Sequence, residues 1–326
     1  MSDKNSDEKR SLSDRGLHNR IEILLEYLNR NLSGKEEAIR VSLLSAIAGE
    51  NILMLGPSGQ DKIEVIRCIA SAFADFYRSG NNYCFEYFLN ESSVPDDLNL
   101  SGKSIAFFDD IWAGSPAVLN KLLNITNDSS VFVAAGSREG EPYKAAENKR
   151  FDALRESFAL HVAVNTASNE EAFFKFISNA NIYPKPDEEQ QSALISRDDL
   201  QIWRLGIDKV ELGADAKELI SEIRRKSIDY FVSDFRWKKI VRVLKACAFL
   251  NGRNKVDLVD CSLIDYAIPN HLVEGILKQK AIDSKLDGRQ HTQYKENIFM
   301  RHKYYQVLKA SINDKKLKLE QKYFAD

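Results

Sequence analysis

Apolar residues in the first half of the chain follow two rhythms. Ile52–Leu55, Tyr83–Leu89, Ile105–Phe108, Val131–Ala135 and Phe158–Val164 are short, nearly unbroken apolar runs bounded by turn-forming residues, and each predicts a buried strand. Elsewhere the spacing is helical. Leu17, Ile21, Leu24, Leu25 and Leu28 mark a helix over 17–31, and Ile39, Leu43, Leu44 and Ile47 mark a second over 34–48, with Ser33 and Glu36 placed for a capping box. Glu64–Phe76 follows the first strand as a helix, and Pro116–Ile125 forms another, with Ser115 as its cap and Pro116 at its first position. Strands alternating with helices predict a parallel sheet covered on both faces.

From Asn169 the strand signals stop. Glu170–Asn179, Asp198–Leu205, Leu212–Tyr230, Asp234–Leu250 and Val256–Ile268 read as helices, and 181–196 is a polar, proline-bearing stretch. The expected division is a disordered lead over 1–16, an α/β core over 17–180, a connector over 181–211, a helical domain over 212–275 and a helical tail over 276–326.

Composition narrows the function classes. With 326 residues, 44% hydrophobic and 29% charged, the chain can bury a sizeable core and divides best into two domains. A formal net charge of −2 and the lack of a basic stripe argue against nucleic acid as a partner. No apolar run reaches the ~20 residues of a membrane span, and the charged N-terminal stretch has no secretory core. Cys68, Cys84, Cys247 and Cys261 lack metal-site spacing and suit reduced thiols, so a cytoplasmic protein is expected.

The candidate chemistry gathers at the end of the first strand. Gly56-Pro57-Ser58-Gly59-Gln60-Asp61-Lys62-Ile63 follows it and opens a helix, which is the context of the phosphate-binding G-x-x-x-x-G-K-[ST] loop. Gly56 and Lys62 keep their places. Asp61 stands where the second glycine belongs, putting a carboxylate into a polyanion cradle, and Ile63 replaces the hydroxyl that holds magnesium. Downstream, the strand over 105–108 ends in Asp109 and Asp110, where a nucleotide hydrolase carries a metal-linked carboxylate and a water-orienting acid.

These segments resemble the MoxR group of AAA+ ATPases, and within it the RavA branch. The resemblance rests on LLSAIAGENILMLGPSG, on FFDDIWAGSPAVLNKLLN and on VSDFRWKKIVRVLKACAFLNGR, and runs roughly from Leu17 to His271. It implies a P-loop AAA+ parallel sheet followed by an all-α lid, ATP or ADP with Mg as cofactors, and a homo- or hetero-oligomer of AAA+ subunits. Position by position it makes Lys62 the phosphate lysine, Asp109 the magnesium carboxylate, Asp110 a shortened water-orienting acid and Arg236 the lid arginine that reaches the terminal phosphate. It also places Ser137 at the polar sensor position and Ser157 where the trans-acting arginine finger stands, with Arg155 two residues earlier. The chain is shorter than that family over 91–105 and 127–131, and nothing after the helical domain resembles RavA's β-rich partner-binding module.

Three functions follow as alternatives. One is a pseudo-ATPase or very weak ATPase serving as a regulatory or structural subunit of a chaperone-like assembly. Another is a MoxR-type ATPase completed by a partner subunit. The third is a nucleotide-free interaction module, in which Lys62 pairs with Asp61 or Asp109 and Arg236 is a helix-surface cation.

Overall fold

The computed structural model describes residues 2–268, apart from 31, 58, 60, 80–82, 90–99, 101–102, 128–130, 139–148, 166–169, 179–184 and 228–231, together with 276, 297 and 299. Ser58, Gln60 and the helical tail expected over 276–326 therefore lie outside the described residues, save those three tail positions.

Five parallel strands form the central sheet: β1 (Ile52–Leu55), β2 (Cys84–Phe88), β3 (Ile105–Asp109), β4 (Phe132–Ser137) and β5 (Leu160–Ala163), in the order β2-β3-β4-β1-β5. β1 lies between β4 and β5, with Leu53 opposite both Ala135 and His161. Because side chains alternate along a strand, each strand feeds two cores. Ile52, Met54, Phe107, Ala134, Leu160 and Val162 face one layer, and Leu53, Phe108, Val133 and Ala135 face the other.

The second layer is covered by α5 (Pro116–Thr126), through Val118, Leu119 and Leu122, and by Leu154 of α6 (Lys149–Ser157). The first is covered by α1 (Ser2–Asn29), α2 (Glu36–Ala48) and α3 (Asp61–Ala70). The helix predicted over 17–31 thus begins at Ser2, and the lead expected to be disordered belongs to it. α2 is buried at every position from Val41 to Ala48, Ser42 and Ser45 included. Its start also differs from expectation: Lys35 rather than Ser33 is the capping residue, and no side chain caps it. The helix predicted over 64–76 breaks after Ala70 and resumes as α4 (Ala74–Ser79), because Phe73 bridges to Ile195.

The stretch expected to be a connector carries two capped helices, α8 (Glu188–Ala193) and α9 (Arg197–Lys209), after α7 (Glu170–Ile177). α9, α10 (Ala214–Lys226) and α11 (Asp234–Leu250) form the helical domain, packed through Trp203, Ile207, Leu219, Ile223, Trp237, Ile240 and Leu244. These residues are continuous with the α2 face of the sheet, so the two domains share one core. Val256–Ile268 is not an α-helix. Val256 belongs to a two-residue strand, Lys255–Val256, paired with Glu211–Leu212, and Asp260–Tyr266 is a 3-10 segment. Asp260 draws that chain inward, accepting two 2.7 Å bonds from Arg253 and one of 3.0 Å from the Asp257 N–H.

Candidate phosphate-loop site

Because all five strands run the same way, their C-terminal ends share one edge, and there the phosphate loop, Asp109, Asp110, Ser137 and the β5 exit converge. This is where ligands bind in open α/β sheets. Glycines make the convergence possible. A Cβ on Gly56 would lie 2.2 Å from the Val164 carbonyl oxygen, and one on Gly136 would lie 1.9 Å from Asp109 Oδ1. Gly56 was singled out by motif; Gly136 was not, since its role depends on what β3 sets beside it.

Lys62 is 2% exposed and is folded back into the loop. Its Nζ donates to the Pro57 carbonyl at 2.7 Å and lies 3.4 Å from Asp109 Oδ1. Asp61, which opens α3, does not pair with it. Asp61 Oδ2 instead accepts from Lys35 Nζ at 2.8 Å, and Lys35 also donates to the Asn165 carbonyl. Lys35 is a site residue that motif reading missed. A cation at the start of a helix faces the positive end of the helix dipole, so its placement there already signalled a partner elsewhere.

The remaining sequence candidates are turned to other tasks. Asp110 has φ 55° and ψ 48°, the only non-glycine residue at positive φ among those described. Aspartate tolerates that conformation better than most residues, at a cost of about 1–2 kcal/mol. Ser137 Oγ accepts from Trp112 Nε1 at 2.7 Å and donates to the Arg138 carbonyl, so the sensor hydroxyl is engaged locally. Ser157 Oγ donates to the Leu154 carbonyl, and Arg155 is buried against Asp152 at 3.0 Å.

Arg236 is fully enclosed at 0% exposure, not a helix-surface cation. Its guanidinium donates to the Phe158 carbonyl (3.0 Å), the Ala267 carbonyl (3.2 Å), Glu156 (3.4 Å) and His161 Nε2 (3.0 Å). A guanidinium has no lone pair to offer, so Nε2 must accept and the ring proton sits on Nδ1. Burial, with Arg236 and Arg155 nearby, holds the His161 pKa well below the usual imidazole range and keeps it neutral. His161 pairs with Leu53, three residues before Gly56, which places this cluster roughly 10 Å back from the loop along the sheet. Arg236 therefore joins the lid to the α6–β5 turn, and it is not directed at the phosphate cradle.

Its helix continues the same work. Lys239 Nζ donates to the Ser157 carbonyl at 2.8 Å and Arg242 Nε to the Ala48 carbonyl at 2.8 Å, while Arg204 of α9 bonds the Ala46 and Ile47 carbonyls. At spacings of three, Arg236, Lys239 and Arg242 put a basic ridge onto the C-terminal ends of α6 and α2, where helix dipoles favour cations. Glu50 lies inside this joint, 3.9 Å from Arg242, and burial pushes its carboxyl up to about 7 despite the surrounding cations.

The loop keeps the strand–turn–helix frame for a phosphate, with nothing described within 4 Å of where a Cβ on Gly59 would stand. The donor set for magnesium is reduced: the position that should carry its hydroxyl is Ile63, 4% exposed and packed in the core, which leaves Asp109, with Lys62 3.4 Å from its Oδ1, as the retained ligand type.

Known proteins share the arrangement of domains. Residues 51–197 match the AAA domain family of the dynein-related subfamily, and 215–282 match the AAA lid domain family. Two uncharacterized proteins of Methanocaldococcus jannaschii are similar: MJ0079, 25% identical over 81% of this chain and 73% of its own length, and MJ0812, 26% identical over 75% and 70%. A crystal structure of a candidate ATPase from Cytophaga hutchinsonii shares the fold, with a TM-score of 0.61 at 16% identity over 92% of this chain and all of its own.

Proposed function

Since the chain belongs to the AAA proteins, with a dynein-related AAA domain followed by an AAA lid, we propose that it is a pseudo-ATPase or very weak ATPase of the RavA/MoxR type. It binds nucleotide weakly and serves as a structural or regulatory subunit of a protein-remodelling assembly. AAA domains in general bind nucleotide with magnesium and assemble with one another; the departures in this site set the chain apart.

The observation that carries the reading is Arg236. A lid arginine reports on nucleotide only if its guanidinium is free to meet a phosphate, and this one has four acceptors, three along α6 to β5 and the fourth the Ala267 carbonyl. The segment in which the resemblance places an arginine finger, Asp152–Phe158, supplies two of those acceptors and also receives Ser233 N–H and Lys239. Parts that would couple hydrolysis between subunits instead fasten this subunit's lid to its own core. The loss of an arginine finger alone costs about 10³–10⁵ in rate.

A phosphate-release assay with and without a co-purified AAA partner tests the proposal, alongside a thermal shift with ADP in magnesium and in EDTA. Negligible turnover and a small shift equal in both buffers are expected. A shift that needs magnesium would overturn the reading. The retained Lys62–Asp109 pair, 3.4 Å apart, favours a second reading in which a partner completes a slow ATPase. Turnover that appears only with the partner and vanishes in Lys62→Ala would select it.

A further inference from the structure

Lys35 is 5% exposed, yet its ammonium bonds the first residue of α3 and the exit of β5 from a position at the head of α2. One side chain thereby ties α2, α3 and the β5 exit together on the β5 side of the loop. On the β4 side, Lys62 and Asp109 make the equivalent closure. Each lysine of the cradle thus carries its own carboxylate, and an arriving polyanion meets two neutralised pairs instead of two open cations.

The pair is asymmetric. Lys35 is enclosed, whereas the Asp61 side chain is 42% exposed and forms the solvent-facing end. A buried ammonium does not stay unpaired without a large penalty, but it can exchange one anionic oxygen for another, and a phosphate oxygen offers the same charge-assisted bond as a carboxylate.

We propose that Lys35 is a second phosphate-binding cation of this site, and that Asp61 is the internal anion holding it until a polyphosphate displaces the carboxylate. The inference rests on the reading of this sheet edge as a phosphate site. It accounts for Asp61 in a position where a bare carboxylate would only repel the ligand: with Lys35 in contact, Asp61 works as a gate. The ligand class is a nucleoside di- or triphosphate, or inorganic polyphosphate with the same linked phosphates.

The test is calorimetry with ADP and, separately, inorganic tripolyphosphate on the full chain, using Asp61→Asn, Lys35→Met and the double variant. Asp61→Asn should tighten binding about tenfold and Lys35→Met should weaken it about as much. In the double variant the gain from Asp61→Asn should disappear, because the cation it frees is gone. Lys35→Arg, which keeps the charge if Lys35→Met folds poorly, should bind like the wild type. A gain in Asp61→Asn that survives Lys35→Met would overturn the proposal, making Lys35 a strut only. Urea melts of the same four proteins give a readout independent of ligand, and the two residues should be coupled there. If the melts show coupling while neither probe binds any variant, the phosphate reading of the edge fails and takes this inference with it. Binding of ADP but not tripolyphosphate assigns the site to nucleosides, and binding of both assigns it to the phosphate chain.

Discussion

Replacing Arg236 by Ala separates the two roles that this residue could have. As a phosphate sensor it would contribute to ligand affinity and little to folding. As found, it has 0% exposure and meets the Phe158 and Ala267 carbonyls, Glu156 and His161. Truncation leaves the Phe158 and Ala267 carbonyls and His161 Nε2 without this donor in an enclosed space and removes the charge facing Glu156, and losses of this kind cost about 3–5 kcal/mol. That is a large part of the ~5–15 kcal/mol that holds a typical domain. The Glu156 contact is the longest, and Glu156 is 16% exposed, so the two carbonyls carry much of the penalty. Urea denaturation should show a midpoint shift matching that loss. Hydrogen exchange should rise first along 156–161 and 233–239, the two sides of the seam, before the sheet centre at 132–135 responds. ADP affinity of the folded fraction should stay within a factor of about two. An unchanged urea midpoint together with tenfold weaker ADP binding would refute the reasoning, because it would put the guanidinium in the nucleotide site.

Three further outcomes follow from the geometry. Glu50 has a folded pKa of about 7 against an ordinary 4.5, so the folded state holds the extra proton between those values and stability falls as pH rises through that window. The full effect is on the order of 3 kcal/mol, and Glu50→Gln should flatten the slope in urea melts taken from pH 4.5 to 7.5. His161, held neutral, has the opposite sign: its contribution is complete above the ordinary imidazole range and is lost on acidification, which should dominate in the Glu50→Gln background. Gly136→Ala would set a methyl 1.9 Å from Asp109 Oδ1 and 2.7 Å from Lys62 Cε. Overpacking of this kind costs about 1–3 kcal/mol, and a thermal melt indistinguishable from wild type would show that the Lys62–Asp109 pair is not fixed in place.

Periodicity in the sequence was enough for the five strands of the central sheet and for its cover of helices on both faces. β1 and α11 occupy the spans that their apolar spacing predicts, and the loop after β1 lies at the sheet edge because a strand followed by a glycine-bearing turn and a helix permits little else. The 3-10 segment at 260–266 was not legible, since the Asp257 and Asp260 carboxylates accept from the Val259 and Asp257 N–H groups and so compete with a helical pattern. The destinations of the charged residues were not legible either. Motif spacing names Lys62 and Asp109 as chemical types and the family resemblance names Arg236, but Arg236 finds its acceptors 31 to 80 positions away, and Lys35 finds Asp61 26 positions away. A hydrophobic period is a local property that repeats every two or 3.6 residues, so a short window reveals it. Which oxygen a buried cation meets depends on which helix ends and strand exits the packed core brings beside it, and only the tertiary structure decides that.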